Sequence, residues 1–224
     1  MPQPALTRSE EDHIKAIHTL SAVHSKASTN AISERLSTKA SSVTDMLKKL
    51  ADKGLVKHEP YHGVRLTTKG QVLALHLVRK HRLWETFLVE RLHFGWAEVH
   101  EVAEQLEHIV SDKLIDRLDD HLGNPAFDPH GDPIPDSAGR VRERKTKPLA
   151  SCKAGDRVRI AWVGESNDEL LHLLSEKGLR LGSVLTLETV HAFDGSLDLR
   201  VRAGGHLTLS AQVAAHLHVE HIAS

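Results

Sequence analysis

Apolar positions recur at helical spacing from the start of the chain. Ile14, Ile17, Leu20, Ala22 and Val23 follow Ser9, Glu11 and Asp12, a start signal with acids in the first turn, and predict a helix from Ser9 to about His24. A polar break over 25–29 precedes a compact second helix carrying Ala31, Ile32 and Leu36. After a turn over 37–40, Val43, Met46, Leu47 and Leu50 mark a third helix over 41–53, with Gly54 placed to end it in the left-handed conformation. The period then falls to two: Leu55 to Pro60 and Val64 to Thr67 predict two short strands around Tyr61-His62-Gly63.

Helix, short helix, turn, helix and hairpin together make a winged helix-turn-helix over residues 1–75. A long helix follows over 68–89, with Val72, Leu73, Leu77, Val78, Leu83, Phe87 and Leu88 as its apolar positions. A second helical stretch spans 96–122, with a break near Ser111, where Ser111-Asp112 can cap a new start. Asn124 to Pro135 is too rich in Pro and Gly to continue a helix, and 140–148 is a basic linker. Beyond it, short strands at 156–163, 185–190, 197–201 and 207–210, with a short helix at 169–177 ended by Gly178, predict a small β-barrel over 149–224. The fold class is mainly α with a β-containing C-terminal domain.

Charge sharpens this division. The net charge of the 224 residues is −1, but residues 1–75 hold 11 Lys+Arg against 7 Asp+Glu, and residues 76–140 hold 7 against 13. A basic head and an acidic middle suit a polyanion-binding part joined to a cation-binding part. Histidine is abundant, at 18 residues, and Cys152 is the single cysteine, so a disulfide within the chain and multi-cysteine metal sites are excluded. With no long apolar run and no basic-then-apolar leader, a cytoplasmic protein is expected.

The chemistry concentrates in the middle. Wound as a helix from His100, Glu104, Glu107 and His108 share with it an arc of about 100°, opposite Val102, Ala103, Leu106, Ile109 and Val110. On the preceding helix His81 and Glu85 stand four apart, within reach of one ion. Imidazoles mixed with carboxylates suit a divalent first-row ion at the harder end, Mn²⁺ or Fe²⁺, and close carboxylates need such a cation to offset their repulsion. An enzyme is not expected. The zinc-protease signatures fail at Glu104, where a histidine is required, and neither a serine nucleophile elbow nor a phosphate-cradling glycine loop is present.

The winged helix, Arg79-Lys80-His81-Arg82-Leu83-Trp84-Glu85, the run from Val99-His100-Glu101 through Glu104, Glu107 and His108 to Ser111-Asp112, and Asp128-Pro129-His130-Gly131-Asp132-Pro133-Ile134-Pro135 together resemble the diphtheria-toxin-repressor family. That resemblance implies metal-dependent transcriptional regulators with a DNA-binding domain (1–75), a helical metal-binding and dimerisation domain (76–140) and an SH3-like, FeoA-like domain (149–224). It implies a primary metal site of Asp12, Glu104, Glu107 and His108 and an ancillary site of His81, Glu85 and His100, with Glu169 the nearest third-domain candidate. Iron-responsive members carry Met and Cys where Asp12 and Glu104 stand here. Carboxylates in place of sulfur favour Mn²⁺, with Fe²⁺ and other divalent first-row ions as alternatives. The chain departs from paired-ion members by Lys15, where they have Glu one turn after the aspartate.

For DNA, the third helix presents Ser41, Ser42, Thr44, Asp45 and Lys48, with Lys39 at its entrance and Arg65 on the wing. Hydroxyls and the carboxylate suit base edges, and the cations suit phosphates. A homodimer reading a palindromic operator, repressing metal-uptake genes when metal ties Asp12 to Glu104, Glu107 and His108, is the expected function. A regulator responding to iron or zinc, and a DNA-binding module with structural metal whose barrel recruits a protein or peptide partner, are the alternatives.

Overall fold

The computed structural model describes residues 6–24, 27–59, 63–164, 168–202 and 204–222. Tyr61 and His62 of the expected hairpin turn, and part of the break at 25–29, lie outside them. The chain separates into two compact units, Met1–His81 with Glu104–Asp116 and Pro135–Arg140, and Arg82–Ala103 with Arg117–Ile134 and Val141–Ser224.

The first unit contains α1 (Arg8–His24), α2 (Thr29–Arg35), α3 (Ala40–Asp52), and the antiparallel pair β1 (Val56–Glu59) and β2 (Gly63–Leu66). Helix α1 starts one residue before the expected Ser9, because Thr7 and Glu10 close a reciprocal cap: Thr7 N–H donates to Glu10 Oε2 at 2.9 Å and Glu10 N–H to Thr7 Oγ1 at 3.4 Å. Ser28 caps α2 by accepting from Ala31 N–H. Val43, Leu47 and Leu50, spaced i, i+4, i+7, are all buried and pack α3 against Ile14, Ile17 and Ile32. The opposite face of α3 is left to solvent. Gly54 adopts φ +70°, and the chain turns there into β1. At Gly70, in the first turn of α4 (Thr68–Leu92), a Cβ would stand 2.1 Å from the Leu55 carbonyl oxygen, so only glycine admits this approach of helix to hairpin.

The second unit is built on a six-stranded antiparallel sheet, order β3-β8-β4-β5-β6-β7. Its strands are β3 (Lys147–Pro148), β4 (Arg157–Val163), β5 (Val184–Val190), β6 (Leu197–Val201), β7 (His206–Leu209) and β8 (Leu217–His221). Leu149, Val158, Ile160, Leu185, Leu187, Leu197, Leu199, Leu217 and Val219 fill its core, closed by Leu171 and Leu174 of α7 (Asp168–Glu176). Helix α8 (Ala211–His216) and β8 were not anticipated, although β8 lies between β3 and β4. The reason is compositional: three of its five residues are His218, Glu220 and His221, and only Leu217 and Val219 carry the alternation. The segment before this sheet is more than a linker. Arg144 stacks over the Phe127 ring at 3.8 Å and donates to the Ala161 carbonyl at 2.6 Å.

The helical stretch expected over 96–122 is two helices, α5 (Val99–Leu106) and α6 (Asp112–Leu122). The Ser111 cap is present, accepting from Leu114 N–H at 3.3 Å, but α5 ends five residues earlier. The single wheel drawn from His100 through Val110 therefore fails beyond Leu106. Glu107 is 1% exposed, whereas Ile109 and Val110, placed on the packing face, are exposed at 36% and 83%. Among the described residues no helix is long and apolar enough to cross a membrane.

Candidate metal centres and DNA-reading face

Three donors converge where α1 meets the turn after α5. Asp12, Glu107 and His108 each offer a ligand atom within 4.8 Å of the others. His108 is oriented by a residue whose only sequence role was to start a helix: its Nδ1 lies 2.6 Å from Glu11 Oε2. A carboxylate only accepts, so Nδ1 carries the proton and the Nε2 lone pair faces Asp12 Oδ1 at 3.2 Å and Glu107 Oε1 at 3.9 Å. Carboxylate to imidazole to cation is the arrangement that fixes a metal-binding histidine. Burial, with the Glu107 charge, raises the Asp12 carboxyl above its ordinary value against the pull of His108 and Arg8. Burial acts on Glu107 in the same sense. There the hydrogen bond from His81 and the charge of Lys15 win, and its carboxyl is held below the ordinary value.

Glu107 receives its cationic partner from within the chain. Lys15 Nζ lies 2.8 Å from Oε1 and 2.7 Å from Oε2, and His81 Nδ1 lies 2.5 Å from Oε2. Glu104, expected in the same set, stands outside it; its carboxylate is half exposed, with Oε1 3.7 Å from Lys15 Nζ. His81 Nδ1, of the expected ancillary set, thus also lies on Glu107.

In the second unit, buried Glu85 offers its two oxygens in two directions. Oε1 meets His100 Nδ1 at 3.1 Å and Oε2 meets His130 Nδ1 at 3.8 Å. Glu85, Asp128 and His130 form a second converging group, all three buried. Sequence reasoning quoted Asp128 and His130 within a motif and gave neither a role. The usable signal was two potential ligands two residues apart in a loop tight enough to need Gly131. The loop is tied internally and to β4: Asp128 Oδ1 accepts from His130 N–H at 2.8 Å and Asp132 N–H at 2.9 Å, and Val163 N–H donates to the His130 carbonyl at 3.0 Å. His130 Nε2 donates to the Trp96 carbonyl at 2.7 Å, so Nδ1 is left as the acceptor facing the carboxylates. Burial, Asp132 and Glu85 push the Asp128 carboxyl well above its ordinary value despite Arg82, whose Nε is 3.5 Å away. Two buried carboxylates beside an imidazole lone pair are stable as anions only with a cation among them. The donors of both groups, oxygen and imidazole nitrogen alone, fit a hard divalent ion. Cys152, buried in the core of the C-terminal sheet, belongs to neither.

On α3, Ser41, Ser42, Thr44, Asp45 and Lys48 are all exposed, as are Lys39 at its entrance and Arg65 on β2. Thr44 donates to the Ala40 carbonyl at 2.9 Å, and Lys48 pairs with Asp45 at 3.1 Å. All seven predicted residues therefore lie on solvent-facing positions of a helix and wing whose inner faces form the core.

Residues 5–64 match the family described as iron dependent repressor, N-terminal DNA binding domain. Residues 67–136 match iron dependent repressor, metal binding and dimerisation domain, and residues 147–221 match the FeoA domain. The chain is 31% identical over 162 residues to the diphtheria toxin repressor of Corynebacterium efficiens, covering 68% of this chain and 70% of that one. A stretch of 86 residues is 46% identical to part of a probable metal transport system membrane protein of Chlamydia trachomatis, of which the chain spans only 19%. Among solved structures, a manganese-dependent transcriptional repressor in complex with manganese superposes with TM-score 0.84 at 35% identity, covering 95% of this chain and all of that one. The chain belongs to the iron-dependent repressor family: it is a metal-dependent, DNA-binding transcriptional regulator, and not an enzyme.

Proposed function

We propose that this regulator responds to Mn²⁺, bound by Asp12, Glu107 and His108 with Glu104 beside them, and represses metal-uptake genes as a homodimer on a palindromic operator. The observation that carries this reading is the donor chemistry: carboxylates and imidazole, with the single thiol buried elsewhere. Likeness to a manganese-dependent repressor supports it. A second ion belongs at Glu85, Asp128 and His130, with His100 of the expected ancillary set adjoining on α5. Residues 1–75 read DNA, 76–140 carry metal and the pairing surface, and 149–224 form the FeoA-like domain, all in the cytoplasm.

When bound, the ion supplies positive charge that offsets the clustered carboxylates. The chain's own residues do the rest. Asp12 lies in the first turns of α1, and α1 packs through Ile14 and Ile17 against the core face of α3, so holding Asp12 against Glu107 and His108 fixes the helix that positions the recognition helix. Without that tie, DNA must order the arrangement itself, and metal and DNA affinities are therefore reciprocally linked.

The test is fluorescence anisotropy on a promoter fragment from the organism's metal-uptake genes, with chelator and then with Mn²⁺, Fe²⁺, Zn²⁺ or Co²⁺ singly. Binding switched on by micromolar Mn²⁺, and lost in Glu107→Ala apart from weak salt-sensitive association, is the expected result. Activation by Fe²⁺ or Zn²⁺ in preference replaces the ion. Equal binding with chelator makes the metal structural and overturns the mechanism.

A further inference from the structure

We propose that Asp45 and Lys48 of α3 act as one unit that reads a C·G base pair in the major groove, the carboxylate accepting from cytosine N4 and the ammonium donating to guanine O6 and N7. This rests on the reading of α3 as the helix that faces DNA.

Lys48 Nζ stands 3.1 Å from Asp45 Oδ1, one turn along the helix, and both side chains are 71% exposed. Burial of Val43, Leu47 and Leu50 leaves the pair on the outer face of α3 with Ser41, Ser42 and Thr44. Asp45 is also the single acid between Lys39 and Ala51. On a face that meets a polyanion, a carboxylate costs affinity unless a cation neutralises it and it finds a hydrogen-bond donor of its own. An ionised carboxylate only accepts, so phosphates offer it nothing; the exocyclic amines of cytosine and adenine do.

The spacing of the pair decides between those two amines. In a C·G pair cytosine N4 donates to guanine O6, so these atoms lie about 2.9 Å apart, side by side on the groove edge. An acceptor and a donor 3.1 Å apart match them in spacing and oppose them in polarity. Asp45 and Lys48 need not separate to do so, because the ammonium has three donors and the carboxylate about four acceptor positions. An A·T pair repeats the central amine and carbonyl but fails on both flanks. Adenine N7 turns a lone pair toward the carboxylate, and the thymine methyl fills the place where guanine N7 receives the ammonium. A reversed G·C pair sets acceptor against acceptor and donor against donor.

The experiment uses the full chain with Mn²⁺. Selection from a random double-stranded DNA library is followed by fluorescence anisotropy on the selected duplex and on duplexes with single base pairs replaced. One C·G pair per half-site is expected whose replacement by A·T or G·C weakens wild-type binding about tenfold or more. Asp45→Ala and Lys48→Ala should each lose that preference and keep the others. Asp45→Ala should also hold or gain affinity for unrelated DNA, since it removes a negative charge, whereas Lys48→Ala should lose some. Both positions are exposed, so both variants are expected to fold, which circular dichroism checks. An unchanged preference in folded Asp45→Ala, a loss spread over all positions, or a preference for A·T at the position that depends on Asp45 overturns the proposal. Failure of the underlying reading of α3 is separately visible: the selection enriches no sequence, or the enriched one is bound equally with Ser41, Ser42, Thr44, Asp45 and Lys48 all replaced by alanine.

Discussion

The Glu11 carboxylate lies 2.6 Å from His108 Nδ1, so the imidazole that faces Asp12 and Glu107 is held in one tautomer and one orientation by a residue adjacent to a proposed ligand. Glu11→Gln keeps a hydrogen-bond acceptor of similar size and removes the charge. Its Mn²⁺ affinity, measured by calorimetry, should fall by about 10–100-fold without being abolished, the usual cost of losing an orienting partner. A complete loss would make Glu11 itself a ligand.

Asp128 gives the second group a pH signature. Its carboxyl is raised above the ordinary value of 3.8 by burial, Asp132 and Glu85, so the folded chain favours the protonated form. Without metal, the contribution of Asp128 to stability should therefore be greatest in acid and decline as pH rises from the ordinary value toward the raised one. Asp128→Asn should flatten that part of the curve, and Mn²⁺ should reverse the decline in wild type only. Denaturant midpoints with chelator between pH 4 and 8 measure this, and an unchanged slope in Asp128→Asn counts against it.

The loop that carries Asp128 and His130 depends on Gly131. Its φ is +89°, and a Cβ there would lie 2.2 Å from the Ala161 carbonyl oxygen. Gly131→Ala must push the loop off β4, at a cost of roughly 1–3 kcal/mol from the backbone conformation alone. It should also lower metal stoichiometry by displacing His130. Thermal melting alongside metal titration separates the two effects.

Buried Glu10 joins the start of α1 to the end of α3, with Oε1 2.5 Å from Lys53 Nζ and Oε2 accepting from Thr7 N–H. Burial opposes its ionisation, but the Lys53 and Thr7 hydrogen bonds prevail and hold its carboxyl below the ordinary 4.5. Its stabilising contribution is thus complete above about pH 4.5 and is lost as pH falls through the depressed value. Glu10→Ala should destabilise the DNA-binding unit by about 1–3 kcal/mol at neutral pH and remove that acid-side loss. Equal destabilisation at pH 3 and pH 7 would contradict it.

Lys39 is exposed at the entrance of α3 and Arg65 is exposed on β2. If each contacts a phosphate, alanine at either should weaken operator and nonspecific DNA alike and reduce the slope of log affinity against log salt by about one. A change confined to one operator position would instead place the residue on a base edge.

The local pattern of the chain determined its elements wherever the periodicity was amphipathic. Val43, Leu47 and Leu50 placed α3 and its exposed face, Gly54 placed its end, and spacing brought out Glu107, His108, Glu85 and His100 as candidate ligands, to which only the family resemblance added Asp12. Periodicity could not show where α5 stops, because a helical wheel assumes the helix continues, and so Glu107 came out on an outward face when the turn after Leu106 buries it. Nor could it show β8, whose polar residues mask two core positions. Only tertiary structure put Lys15 on Glu107, Glu11 behind His108, and Glu85 beside Asp128 and His130. Those contacts join residues 92, 97 and about 45 positions apart. Spacing along a chain fixes neighbours within one helix, but the charge that stabilises a buried carboxylate is chosen by whatever the fold brings within hydrogen-bond reach.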